Sequence, residues 1–187
     1  MRRFAHSRKR KVALVLNIAP LYRKAIFTLL DNDPDIDYSF YAGEESRDVD
    51  ALIDMRSLLG FKRYLHNIFR GDKLIWQRGW WRILFGRYDA YILTGNPGIR
   101  SNWLLMSAAR LTGRKVYLWS HGIYGNETPG KLRRNKLYMR MADGLLLYGQ
   151  HGKSMLLKNG FKESKMSVIY NSLDLERHKR LRDRFIG

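Results

Sequence analysis

The chain contains no cysteine. Disulfides, zinc–thiolate sites and thiol nucleophiles are therefore excluded, and the composition fits a reducing compartment. No apolar run approaches the ~18 residues that a membrane-spanning helix needs. No GxGxxG follows the first apolar segment and no GxxxxGK[ST] occurs, so two familiar phosphate-cradling glycine loops are missing. HExxH and GxSxG are absent as well. His66, His121, His151 and His178 do not stand at metal-ligand spacing, so no metal is expected, and His66 and His178 read as solvated. Acid is also scarce: 17 Asp plus Glu stand against 35 Lys plus Arg, a formal net charge of +18. That imbalance points to an anionic partner, whether nucleic acid, an acidic membrane surface or a phosphorylated substrate, unless the surface is merely basic.

What is present is a regular alternation of apolar runs and helical patterns along 187 residues, enough for one domain with a full core. The basic stretch Arg8-Lys9-Arg10-Lys11 followed by an apolar run imitates a signal peptide. The run is short and holds Asn17, so a first strand over 11–18 explains it better. Residues 1–10 read as a basic arm. Helical spacing follows over 21–30, a turn at Asp31-Asn32-Asp33-Pro34, and a second strand over 36–41. That gives a β-α-β unit with a parallel pair. Further strands are expected over 74–77, 88–93, 115–119, 144–148 and 166–170, and helices over 80–85, 101–111, 131–141 and 150–158. The order predicts an α/β fold with a doubly wound, mainly parallel sheet.

Two loops leave strands at the edge where such sheets bind ligands. One holds Thr94-Gly95-Asn96-Pro97-Gly98. The other, Ser120-His121-Gly122-Ile123-Tyr124-Gly125-Asn126-Glu127, follows an apolar strand and precedes a helix. Its glycines permit a tight exit and close backbone approach. His121 and Glu127 there read either as functional groups or as an ordinary loop histidine and a solvated glutamate. The first strand exits through Pro20-Leu21-Tyr22-Arg23, which puts Arg23 near the same edge. An arginine there suits a phosphate or carboxylate, or is a plain surface residue.

The segment 56–87 interleaves aromatic and basic residues. An amphipathic helix is expected over 56–70, with Leu58, Phe61, Leu65, Ile68 and Phe69 on one side and Lys62, Arg63, His66 and Arg70 elsewhere. Three readings compete: stacking on single-stranded nucleic acid, docking on an anionic bilayer, or core aromatics with solvated charges.

Several ordered stretches resemble one known group. Ala142-Asp143-Gly144-Leu145-Leu146-Leu147-Tyr148-Gly149-Gln150, Gly152-Lys153-Ser154, Lys158-Asn159-Gly160-Phe161, Lys165-Met166-Ser167-Val168-Ile169 and Tyr170-Asn171-Ser172-Leu173-Asp174 are similar to the end of the N-terminal domain of GT-B glycosyltransferases of the retaining, family-four type. Pro20-Leu21-Tyr22-Arg23 and Trp119-Ser120-His121-Gly122 fit the same group, so the likeness runs over 11–174. It implies a Rossmann-like acceptor-side domain over 11–174, one half of a GT-B fold, followed by a charged tail or linker at 175–187. Many members carry a glycine pair in the first loop, where this chain has Ile18-Ala19-Pro20.

The resemblance implies that His121 faces the reaction cleft as the catalytic residue and that Tyr22 and Arg23 face the acceptor or the donor phosphates. Asn96, Gly122, Glu127 and Tyr148, at the same edge, are the other expected substrate contacts. The nucleotide-sugar donor is expected to bind mainly a second, donor-side domain that this stretch of chain does not contain, leaving an inactive half. The expected partners are a sugar or lipid-linked acceptor, that donor-binding domain, and an anionic membrane surface met by Lys62, Arg63 and Arg70. The implied place is cytoplasmic, at the inner face of the membrane, in surface polysaccharide or glycoconjugate synthesis. The rivals are a basic nucleic-acid-binding module, disfavoured because the charge is spread and no such motif occurs, and a non-catalytic partner protein.

Overall fold

The computed structural model of the chain describes residues 8–47, 49 and 51–170. Most of the expected basic arm, His178, and the expected tail at 175–187 lie outside these described residues. The first apolar run forms strand β1, Arg10–Leu16. It leads through a short 3-10 turn at Leu21–Arg23 into helix α1, Lys24–Asp31, and then strand β2, Ile36–Gly43. β1 and β2 pair in parallel, as the connection length requires.

The next stretch departs from the sequence expectation. No helix spans 56–70. A 3-10 turn at Met55–Ser57 is followed by strand β3, Phe61–Arg70, which turns back antiparallel into β4, Lys73–Arg78. The spacing misled for a simple reason. Phe61, Leu65 and Phe69 are four apart, and an interval of four keeps residues on one face of a helix and also on one face of a strand. The deciding signal is Arg70-Gly71-Asp72-Lys73, a two-residue loop with Gly71 at φ 58°. Glycine at the first central position is the mark of a type II′ hairpin. The expected helix at 80–85 is a 3-10 helix, Trp80–Gly86.

The remaining elements follow the expected order: β5, Ala90–Thr94; α2, Arg100–Leu111; β6, Lys115–Ser120; α3, Pro129–Arg140; β7, Gly144–Leu147; α4, Gln150–Lys158; and β8, Met166–Val168. The sheet order is β4-β3-β2-β1-β5-β6-β7-β8, parallel except for the edge strand β4. β1 lies at the centre and the chain winds outward from it in both directions. This is the doubly wound, Rossmann-like α/β sheet anticipated.

Helices cover both faces, which is why the central strands are apolar on consecutive residues. Leu14 and Leu16 of β1 pack with Phe27 of α1, Phe40 of β2 and Met55. Ala13 and Val15 face the other way, toward Leu105 and Met106 of α2, Tyr138 of α3 and Leu156 of α4. The N-terminal edge is tied by Asp89, whose carboxylate accepts from the Lys11 backbone at 2.7 Å, and by Asp143, which accepts from the Val116 backbone at 3.0 Å.

Candidate functional site

The first strand order reversal falls between β1 and β5, and a cavity of about 410 Å³ opens there at the carboxyl ends of the strands. That is where open α/β sheets bind ligands. Its walls come from the exits of β1, β5, β6 and β7 and from the first turns of α3. The loop after β1 is held by a neighbouring segment: Leu21 N–H donates to Ala51 at 2.9 Å and Ile53 N–H to Ala19 at 2.9 Å. Pro20, Tyr22 and Arg23 are thereby fixed at the cavity.

Arg23 is 9% exposed, yet among the described residues no carboxylate forms an ion pair with it. Its guanidinium lies 4.8 Å from the Trp119 ring, 5.0 Å from Tyr148 and 5.5 Å from Tyr22. One Nη donates to the Tyr148 hydroxyl at 2.6 Å, while Nε is buried with no partner. Three aromatic faces partly compensate the buried charge, but the open donor remains. Trp119 Nε1 and Asn135 Oδ1 are also buried and unpartnered, and both residues line the same cavity. Native interiors rarely leave such atoms unmade, and all three residues line the same concavity, which a bound polar group or an ordered water can enter. Burial pushes the Tyr148 phenol up, against the pull of Arg23. The phenol stays protonated, and because its oxygen accepts from Arg23, its hydrogen is left to donate.

His121 stands on the loop after β6, its ring 4.3 Å from Tyr148 and 5.7 Å from Tyr124. Burial lowers its pKa, and the positive charge of Arg23 lowers it further. The imidazole is therefore neutral at neutral pH and suited to accept a hydrogen bond or proton from a hydroxyl. Glycine builds this corner. Gly122 has φ 81°, and a side chain on Gly152 at the start of α4 would overlap the His121 carbonyl oxygen. Ser120 accepts from Gly122 N–H at 3.0 Å and donates to the Gly95 carbonyl at 3.3 Å, joining the two candidate loops.

The residues expected at the site, Tyr22, Arg23, Asn96, His121, Gly122, Glu127 and Tyr148, all line this one cavity. Glu127 is occupied as a brace: its carboxylate accepts from Tyr124 and Gly125 N–H, each at 2.9 Å. Burial works to raise its pKa, but those two donors, with Lys131 nearby, hold it below the usual carboxylate range. Asn96 likewise accepts from Gly98 N–H at 2.8 Å.

Sequence reasoning missed Asn17, Lys131, Arg134 and Asn135, which also line the cavity. The signal for the last three was their i, i+3, i+4 spacing at the start of the helix after the His121 loop. Lys62, Arg63 and Arg70, expected as a flank of an amphipathic helix, lie instead on β3; all three are exposed, and Arg70 reaches the hairpin tip. His66 is exposed and paired with Glu44. Among the described residues no cluster of acidic, histidine or cysteine side chains suits a metal, and no helix is long and apolar enough to cross a membrane.

No known family profile matches the chain, and no curated protein matches it in sequence. Solved structures do match in shape. A UDP-N-acetylglucosamine 2-epimerase superposes with TM-score 0.56 at 17% identity, over 86% of this chain and 48% of its own. The S. aureus MnaA–UDP co-structure gives TM-score 0.57 at 11% identity, over 87% of this chain and 45% of its own. The lipopolysaccharide outer core galactosyltransferase WaaB gives 0.51 at 14% identity, over 86% and 45%. The fold is that of a GT-B-type half domain. At these identities the likeness speaks for fold alone, and the chain spans about half the length of the structures it matches.

Proposed function

We propose that this chain is the acceptor-binding half of a nucleotide-sugar-dependent glycosyltransferase of the retaining, family-four-like kind, working at an anionic membrane surface in the synthesis of a surface polysaccharide or other glycoconjugate. The observation that carries the reading is Arg23: a buried guanidinium, ringed by aromatic faces, with an unmade N–H bond and no carboxylate on it, in a cavity at the topological switch point. A phosphate or carboxylate group of a substrate supplies the missing charge and acceptor atoms, and arginine forks suit both. His121 and Tyr148 then stand beside the bound group as neutral hydrogen-bonding partners for sugar hydroxyls, with Tyr124 as an apolar wall. In the transfer, the bond from the sugar to the nucleotide diphosphate breaks, a bond from the sugar to the acceptor oxygen forms, and the acceptor hydroxyl's proton passes to the departing diphosphate oxygen. The donor is expected to sit mainly on a second domain.

Calorimetric titration of the full chain with inorganic pyrophosphate tests the anion site. Binding is expected, and Arg23→Gln should weaken it roughly tenfold to a hundredfold, the worth of one or two charge-assisted bonds. Equal binding by the variant would remove the observation's meaning. The chain alone, mixed with nucleotide-sugars and lipid-linked acceptors, should give no product, since transfer needs both substrates held together. Conversion of UDP-N-acetylglucosamine to its 2-epimer would replace the transferase reading by that of the epimerase neighbours.

A further inference from the structure

The hairpin that replaces the expected helix builds a second concavity. It encloses about 1030 Å³ and runs directly into the Arg23 cavity: Asn17, Ile18, Asn96, Pro97, Lys131 and Arg134 line both. The floor is rigid. Asn67, 2% exposed, donates from its side chain to the Asn17 carbonyl at 3.0 Å and to the Glu45 carbonyl at 2.8 Å. Gln77, 1% exposed, donates to the Leu16 carbonyl and to Asn67 Oδ1, both at 3.0 Å. This buried network joins β3, β4 and the exit of β1, so the hairpin is a fixed wall of the groove and not a loose flap.

The wall is cationic. Arg47, Arg70, Lys73, Arg100, Lys131 and Arg134 line the groove against two carboxylates, Glu45 and Asp72. All six are exposed, and none of the ion pairs among the described residues involves them. Such a lining takes a polyanion. The aromatic residues decide which kind. Base stacking needs free ring faces. Here Phe69 is covered by the Arg47 guanidinium at 4.6 Å, Trp103 packs on Tyr138 at 4.9 Å, and Trp76 meets Trp80 edge to face at 6.3 Å. The rings are engaged with the protein, and the groove presents charge and hydrogen-bond donors.

Resting on the reading of the Arg23 cavity as the acceptor end of a transferase, we propose that this groove is a subsite for an acidic oligosaccharide: a saccharide acceptor bearing anionic groups along its length. Its growing end lies at His121, and its preceding sugars lie along the β3–β4 hairpin.

The test is fluorescence-anisotropy binding of the full chain to labelled hexagalacturonate, with maltohexaose and an oligothymidylate as competitors. Hexagalacturonate should bind, and added salt should weaken it. The double variant Arg70→Gln with Lys73→Gln, both exposed at the hairpin tip, should bind it roughly tenfold or more weakly. The same variant should keep wild-type pyrophosphate binding, whereas Arg23→Gln should lose pyrophosphate, so failure of the groove and failure of the cavity are read separately. Competition by maltohexaose as strong as by unlabelled hexagalacturonate would overturn the proposal, because the charge would then not matter. Stronger competition by oligothymidylate would overturn it in favour of nucleic acid. Unchanged hexagalacturonate binding in the hairpin variant would overturn the location.

Discussion

At the scale of single residues, a charge kept in a costly place is the informative feature. Burying an arginine without a carboxylate destabilises a fold unless something else gains, and aromatic faces recover only part of that cost. Arg23→Gln should therefore leave the melting temperature unchanged or raised while pyrophosphate binding falls; differential scanning calorimetry beside the titration shows both. A marked loss of stability would mean that Arg23 is held for packing. His121 offers a second test. Its pKa is depressed in the fold by burial and then by Arg23, so the unfolded chain binds its proton more readily than the native one. Stability linked to this group is thus fully present above its ordinary pKa of about 6.5 and is lost as pH falls through the lower folded value. Relative to His121→Gln, the wild-type chain should lose melting temperature below about pH 6.5. In NMR titrations Arg23→Gln should move the His121 midpoint upward. An unmoved midpoint would separate the two residues electrostatically.

At the scale of elements, the site depends on how closely backbones approach. Gly152 lets the start of α4 meet the His121 carbonyl, so Gly152→Ala must displace that loop. The expected cost is about 1–3 kcal/mol, as for other overpacked positions, with weaker pyrophosphate binding measured alongside. A stable variant with intact binding would show that the loop is free to adjust. The Asn67–Gln77 network makes a separate claim on the hairpin. Gln77→Ala removes the side-chain donor to the Leu16 carbonyl and to Asn67 Oδ1, at about 2 kcal/mol. Hydrogen exchange should accelerate across β3 and β4 while β5 to β7 stay protected; uniform acceleration would mean that the hairpin unfolds only with the whole domain. These elements also show what was legible in the sequence. β1, β5, β6 and β7 could be read because buried parallel strands are continuous apolar runs between turn residues, and that order brought Arg23, His121 and Tyr148 to one edge. β3 could not be read from periodicity, since its intervals of four serve a helix equally well. The Arg70–Lys73 turn carried the answer. Lys131 and Arg134 were hidden in a count of total charge, because their importance comes from where α3 starts and not from how basic it is. Asn135 carries no charge and shows only through its spacing to them.

At the scale of the whole molecule, the net charge of +18 has more than one destination. The two joined cavities use part of it. Another part surrounds exposed aromatic side chains on the 3-10 helix after β4: Trp81 is 49% exposed, Phe85 is 76% exposed, the two rings meet at 6.1 Å, and Arg82 lies over Trp81 at 5.2 Å. Arg78 and Arg87 flank them and are exposed. Exposed indole and phenyl rings beside guanidinium groups suit an anionic bilayer interface, where each basic residue contributes about 1 kcal/mol. Within the 56–87 segment expected at a membrane, this turn is therefore a better candidate contact than Lys62, Arg63 and Arg70, since no amphipathic helix carries those three and Arg70 faces the groove. Co-sedimentation with phosphatidylserine-containing vesicles should show salt-sensitive binding, and phosphatidylcholine vesicles should show little. Trp81→Ser with Phe85→Ser should abolish most of it, because charge alone gives attraction without insertion. Lys62→Glu with Arg63→Glu should reduce it only modestly, by lowering net charge. If the two charge reversals matter more than the two aromatic losses, the contact lies on β3 after all. If neutral and anionic vesicles bind alike, the aromatic turn meets something other than an anionic surface, and the excess charge serves the acceptor groove alone.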